Sequence, residues 1–131
     1  MPIVSGETST RNLIPAHAEL SSRHSPDLCL SVRIARTFAA RCIGLLNRRS
    51  LAENEGLLFM PGGSIHTFGM HFPIDIVFLD AHMTVLAVAP RVKPWRFAWA
   101  PTGTCYVLEL VADRAARAQL NPGVTMQLDL G

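Results

Sequence analysis

Between Ser64 and Asp80 the chain carries two histidines, His66 and His71, a methionine, Met70, and one carboxylate, Asp75, in an otherwise apolar run. A second carboxylate, Glu109, sits in another apolar run, between Val107 and Val111. Imidazoles exchange protons near neutral pH and a carboxylate can orient them. His66 or His71 with Asp75 or Glu109 is therefore the minimal set for general acid–base chemistry, of the kind a hydrolase or lyase uses. A His/His/carboxylate set also suits zinc. The interval between His66 and His71 matches no metal-ligand signature, however, so no metal or other cofactor is expected.

The carboxylates have a simpler reading. A charge inside an apolar strand must be paired, hydrogen-bonded or protonated. Such networks are commonly structural, and His66, His71, Arg91 and Arg96 are the available partners. As functional groups, Asp75 and Glu109 would line one pocket together. Trp95, Phe97 and Trp99 alternate around Arg96, so an extended segment would turn all three one way. Such a row can stack on sugars or bases. Aromatic bulk more often fills cores, and the row is expected to cover an open end of the fold. Arg41, Arg48 and Arg49 read as a solvated helix end rather than a phosphate site, and no nucleic-acid motif is present. Nor is there a G-x-S-x-G motif or a cysteine beside a histidine, so nucleophilic catalysis lacks support.

These residues need elements to position them. A chain of 131 residues is one domain, able to bury about two-thirds of the surface its unfolded form exposes. With 49% hydrophobic and 17% charged residues it is no disordered chain. The net charge of +2 is too small to argue alone for nucleic acid or an anionic membrane. Cys29, Cys42 and Cys105 are an odd set without C-x-x-C spacing, so they are expected as reduced core residues. No apolar run reaches the roughly 20 residues of a membrane helix. The N-terminus lacks a basic-then-apolar leader, and a cytoplasmic protein is expected.

Met1 to Asp27 is polar and reads as a mobile arm, with the domain at 28–131. Strands are expected at Leu28–Ala35, Gly56–Met60, Ile65–Phe68, Ile74–Leu79, Met83–Ala89, Cys105–Val111 and Val124–Leu130. Ile74–Leu79 and Cys105–Val111 are apolar on both faces and belong in the centre. Helices are expected over Phe38–Leu46, capped by Thr37, and from Asp113 to Leu120. Pro90 to Thr104, with three prolines, reads as a long loop. Many short strands and two short helices indicate a mainly β (α+β) fold, a small closed or partly open β-barrel or jelly-roll-like sandwich.

Four segments taken together resemble a known family. They are Thr37, Arg41 and Gly44-Leu45; Glu55-Gly56-Leu57-Leu58-Phe59; His66-Thr67-Phe68-Gly69-Met70 running on to Pro73-Ile74-Asp75-Ile76-Val77-Phe78-Leu79-Asp80; and Val107-Leu108-Glu109-Leu110. Their order and spacing are similar to the bacterial and archaeal family called domain of unknown function 192, across about Leu28 to Leu130. The resemblance implies a compact, mostly β, jelly-roll-like domain with no established activity. The pattern departs at Phe38-Ala39-Ala40, where the family usually has an acidic first helical turn. Many members also carry a secretory leader, missing here.

The residues point first to a non-catalytic ligand-binding or interaction module. Its pocket would be rimmed by loops 64–73 and 90–104, with His66, Met70, Asp75, Trp95, Arg96 and Glu109 as contacts. A small molecule or a protein would be the partner. The alternative is a hydrolase or lyase using His66 or His71 with Asp75 or Glu109.

Overall fold

The computed structural model describes residues 17–36 and 49–131. Strand β1 (His17–Ser22) turns through Arg23-His24 into β2 (Ser25–Ala35), its antiparallel partner. Burial alternates along both: Leu20, Leu28, Leu30, Val32 and Ile34 face inward, while Cys29, Ser31 and Arg33 face out. Residues 17–27, expected in a mobile arm, thus belong to the sheet. A strand with one face in water needs an apolar residue only at every second position, so the sparse apolar content of β1 is sufficient. Of the three cysteines expected in the core, Cys42 lies outside the described residues, Cys29 takes an outward position and is an exposed free thiol, and Cys105 is half-buried.

The remaining elements are β3 (Glu55–Phe59), β4 (Ile65–His66), β5 (Ile74–Leu79), β6 (Val85–Val92), β7 (Phe97–Ala98), β8 (Tyr106–Val111), helix α1 (Arg114–Arg117) and β9 (Met126–Asp129). Seven strands form one sheet in the order β6-β5-β8-β3-β2-β1-β9, and β4 pairs with β7 in a separate ribbon. β5 and β8 lie inside the sheet as their two-sided apolar pattern requires, and all six residues of β5 are buried. The sheet curls until its edges meet at one corner. There Thr84 bridges Thr125, Val85 N–H donates to Val124 C=O at 2.8 Å, and Met126 N–H donates to Met83 C=O at 2.9 Å. The result is a half-barrel with two cores. The inner one gathers Leu20, Leu30, Val32, Leu58, Val77, Leu108 and Leu110 under α1. The outer one gathers Leu57, Phe59, Met70, Ile74, Ile76, Phe78 and Val107 under the ribbon.

The expected helix at Phe38–Leu46 lies outside the described residues. The second helix is shorter than expected, a single turn. Asp113 precedes it in the left-handed region, at φ 74°, and makes no side-chain cap. Its carboxylate instead pairs with the Arg91 guanidinium, which holds its proton affinity below the usual carboxylate range.

Asp75 explains that geometry. The β5–β6 register jumps from Ile74 opposite Val92 to Ile76 opposite Ala89, so Pro90 and Arg91 together face Asp75. This is a β-bulge on an edge strand, at the kind of position where a proline is tolerated. Arg91, at φ 48°, turns its N–H onto Asp75 Oδ1 at 3.0 Å, and Ala115 at the start of α1 donates to Oδ2 at 2.9 Å. One fully buried carboxylate thus ties β5 to the bulge and to the helix. Asp75→Ala leaves both N–H groups without their acceptor, and each costs about 1–3 kcal/mol when unsatisfied. Urea unfolding is expected to show a loss of about 2–5 kcal/mol, with Asp75→Asn intermediate because one acceptor survives.

Candidate functional site

The ribbon of β4 and β7 has two unlike faces. Ile65 pairs with Ala98 and His66 with Phe97, and the period of two continues on either side. Ile65, Thr67, Ala98 and Ala100 face the outer core. His66, Phe68, Trp95, Phe97 and Trp99 face solvent. A solvated ribbon face is ordinarily polar. Here Phe68, Trp95, Phe97 and Trp99 are 39%, 65%, 55% and 77% exposed. The expected cover over an open end of the fold is therefore wrong for these rings, which lie on the surface.

The rings pack on one another. Phe68 stacks on Trp95 with centroids 5.7 Å apart, Phe97 stacks on Trp99 at 5.5 Å, and Phe68 meets Phe97 edge to face at 5.1 Å. His66 joins Phe68 at 5.0 Å and Phe97 at 6.3 Å. The face is one cluster of five rings, not a row of independent side chains.

Thr67 fixes it. This buried residue donates its hydroxyl to Lys93 C=O at 2.6 Å and accepts from Arg96 N–H at 3.0 Å. Its backbone donates to Arg96 C=O at 2.9 Å and accepts from Trp95 N–H at 3.1 Å. Trp95 stands between these contacts in the left-handed region, at φ 64°. That conformation costs a bulky side chain on the order of 1–3 kcal/mol, and the surrounding bonds hold it. Ala100 N–H donates to Ser64 Oγ at 2.9 Å and closes the far end of the ribbon. Thr67 was not among the sequence candidates. Its partners lie 26 and 29 residues away, and no local pattern announces them.

The candidate residues divide. His66, Trp95 and Arg96 lie exposed on the ribbon, and Arg96 reaches the Trp95 carbonyl through Nη1 at 3.3 Å. Met70 is buried beneath it in the outer core, with its N–H on Thr67 C=O. His71 is exposed in the turn ahead of β5, outside the ring cluster. Asp75 and Glu109 do not share a pocket. Asp75 pairs with Leu110 and Ile76 with Glu109, so the carboxylates occupy adjacent rungs and opposite faces of the sheet. Asp75 faces the inner core with Val77 and Leu79; Glu109 faces the outer core with Val107. Among the described residues neither histidine forms a hydrogen bond or ion pair with either carboxylate. In the same residues no group of three or more His, Cys, Asp or Glu is placed to hold a metal ion. A cleft of about 260 Å³ opens elsewhere, beside His24, Asp27, Arg114 and Arg117. Both arginines there are engaged by Glu53.

Against known families, residues 19–128 match the profile of DUF192, described as Uncharacterized ACR. The chain belongs to this family. Two UPF0127 proteins of archaea are similar to this DUF192 domain. One, from Thermococcus sibiricus, is 37% identical over 60% of the chain and 53% of its own length. The other, from Pyrococcus horikoshii, is 33% identical over 70% of the chain and 79% of its own length. The match thus spans about half of the first relative. Among solved structures, a protein of unknown function from Novosphingobium aromaticivorans superposes with TM-score 0.75 at 26% identity, covering 85% of this chain and 83% of that one. A proposed transcription regulator from Sinorhizobium meliloti gives TM-score 0.76 at 24% identity over 86% and 92%, a likeness of fold alone. The mostly β fold implied by the DUF192 resemblance holds.

Two measurements bear on this site. Thr67→Val keeps the shape of the side chain and removes the hydroxyl. A loss of about 1–3 kcal/mol in urea unfolding is expected, with Thr67→Ser retaining most of the stability. Near-ultraviolet circular dichroism of the ring cluster should weaken in the valine variant and persist in the serine variant.

Burial pushes Glu109 from 4.5 up to about 8. The folded state therefore binds more protons than the unfolded state between those values, so stability falls as pH rises through that window. The slope reaches about 1.4 kcal/mol per pH unit. Thermal melts at about pH 5 and about pH 8.5 are expected to show a lower midpoint at the higher pH, and Glu109→Gln to shrink that difference. An unchanged difference in the variant would remove Glu109 as its source.

Proposed function

We propose that this DUF192 domain is a non-catalytic interaction module whose contact surface is the outer face of the β4–β7 ribbon, built by segments 64–73 and 90–104. The observation that carries this is the solvent-facing cluster of Phe68, Trp95, Phe97 and Trp99 on a ribbon locked by Thr67. Exposing four large rings does not help a monomer fold, and exposed apolar patches rimmed by polar residues mark binding sites. Aromatic residues are likewise enriched where interfaces gain most of their binding energy. His66, Trp95 and Arg96 are contact residues on this reading. Met70 supports the ribbon from beneath, Asp75 holds the bulge from which the chain enters it, and Glu109 lies in the underlying core.

The alternative hydrolase or lyase finds less support, because Asp75 faces the other core and is engaged by two backbone N–H groups. A cytoplasmic setting belongs to the same proposal. The exposed free thiol of Cys29 supports it, since such thiols persist in reducing compartments.

If the rings are there for contact, removing them costs little stability. Trp99→Gln and Trp95→Gln are expected to lose less than about 1.5 kcal/mol each, the worth of their ring contacts. A scaffold ring would cost about 3–5 kcal/mol. Amide chemical shifts recorded against vesicles, peptides, oligosaccharides and oligonucleotides should change at residues 65–68 and 95–99 for whichever probe binds. A probe that binds and shifts residues elsewhere would defeat the assignment.

A further inference from the structure

We infer that the partner of this ribbon is the surface of an anionic phospholipid bilayer, on which the domain docks without spanning it. The inference rests on the ribbon being the contact face and names what it contacts.

Charge is the first argument. Segments 64–73 and 91–104 contain no Asp or Glu, and they contain Arg91, Lys93 and Arg96. Their formal charge is +3 within a chain of +2, so the rest of the chain sums to 2 − 3 = −1. Arg91 is held by Asp113, which leaves Lys93 and Arg96, interleaved with the ring-bearing residues in sequence, exposed and without an ion pair among the described residues. Exposed cations in the same segment as an apolar face complement a layer with negative headgroups above hydrocarbon.

Ring geometry is the second. Nucleobases and sugars bind aromatic residues through open ring faces. Phe97 and Trp99 lie 12° from parallel and Phe68 and Trp95 25°, and Phe97 stands edge to face against Phe68. Faces are thereby spent on neighbours, leaving the outer faces of Trp95 and Trp99 and a fringe of ring edges. A bilayer interface asks only for amphipathic rings at headgroup depth, where tryptophan is enriched. A second copy of the chain is disfavoured because Lys93 and Arg96 would meet their own like charges.

Trp95 and Trp99 are the two tryptophans of the chain, so tryptophan fluorescence excited at a wavelength that spares Tyr106 reports on this face alone. With vesicles of equal parts phosphatidylglycerol and phosphatidylcholine, the emission is expected to shift to the blue and the protein to co-sediment. Pure phosphatidylcholine vesicles should produce little of either, and about 0.5 M salt should weaken both by screening. Lys93→Glu with Arg96→Glu should cut partitioning at least about tenfold, with circular dichroism unchanged. Absence of both the shift and sedimentation with the anionic vesicles, or equal binding to neutral ones, overturns the lipid assignment. A shift with a single-stranded oligonucleotide but not with vesicles, or with protein concentration alone, also overturns it while leaving the ribbon as the contact face. If Trp99→Gln destabilises the fold as much as a core deletion does, the contact face itself falls.

Discussion

The architecture depends on one buried carboxylate with two backbone donors. Asp75 is fully buried on an interior strand, where an unsatisfied charge would be prohibitive. Its oxygens are met by the N–H of Arg91, freed by a bulge, and by the N–H of Ala115, in the first turn of a helix, where no N–H has an acceptor within the helix. Neither donor has a strand partner to lose, so the three groups satisfy one another. The arrangement also has a geometric consequence. Arg91 is forced into the left-handed region, and the chain leaves β6 toward Lys93 and Trp95 rather than continuing along the sheet. The ribbon's second strand lies where it does because a carboxylate on the opposite face of the sheet holds the turn that precedes it.

That ribbon combines a rigid underside with an unusual outside. Thr67 joins the two segments through hydroxyl and backbone together, so the ring cluster is held in place by the ribbon itself. For the proposed contact face, such pre-assembly would lower the ordering cost of binding, about 0.5–1.5 kcal/mol for each immobilised side chain. The left-handed Trp95 fits the same logic: strain at one residue is tolerated where surrounding bonds over-determine it, and such strain concentrates at working surfaces.

Much of the sheet is legible from the sequence because burial imposes a period. Ile74–Leu79 and the stretch to Val111 are apolar on both faces and occupy central strands; Leu28–Ala35 alternates and is half-buried. Three features are not legible, each for a physical reason. β1 is too sparse in apolar residues to stand out until its partners β2 and β9 are known. Pro90 and Pro94 suggest a loop, yet one sits at an edge-strand bulge and the other just before a left-handed residue, so they punctuate strands rather than abolish them. The general habit of large rings predicts that the aromatic row covers an open end of the fold, whereas strand parity decides, and parity places Ile65, Ala98 and Ala100 inside. The same parity turns Cys29 outward.

Parity also governs the two acids, whose sequence surroundings are alike and whose physical solutions differ. Asp75 and Glu109 each interrupt an apolar strand, and β5 and β8 lie side by side. A register shifted by one residue would have put both on a single face and made the acid pair of an active site. In the register adopted, Asp75 meets the inner core at the only place where a bulge and a helix start offer it donors among the described residues. Glu109 meets the outer core, flanked by Leu57 and Ile76 on the neighbouring strands. Burial pushes it to about 8, so at neutral pH it is largely the uncharged acid. The layer beneath the ribbon then holds a neutral polar group rather than a charge.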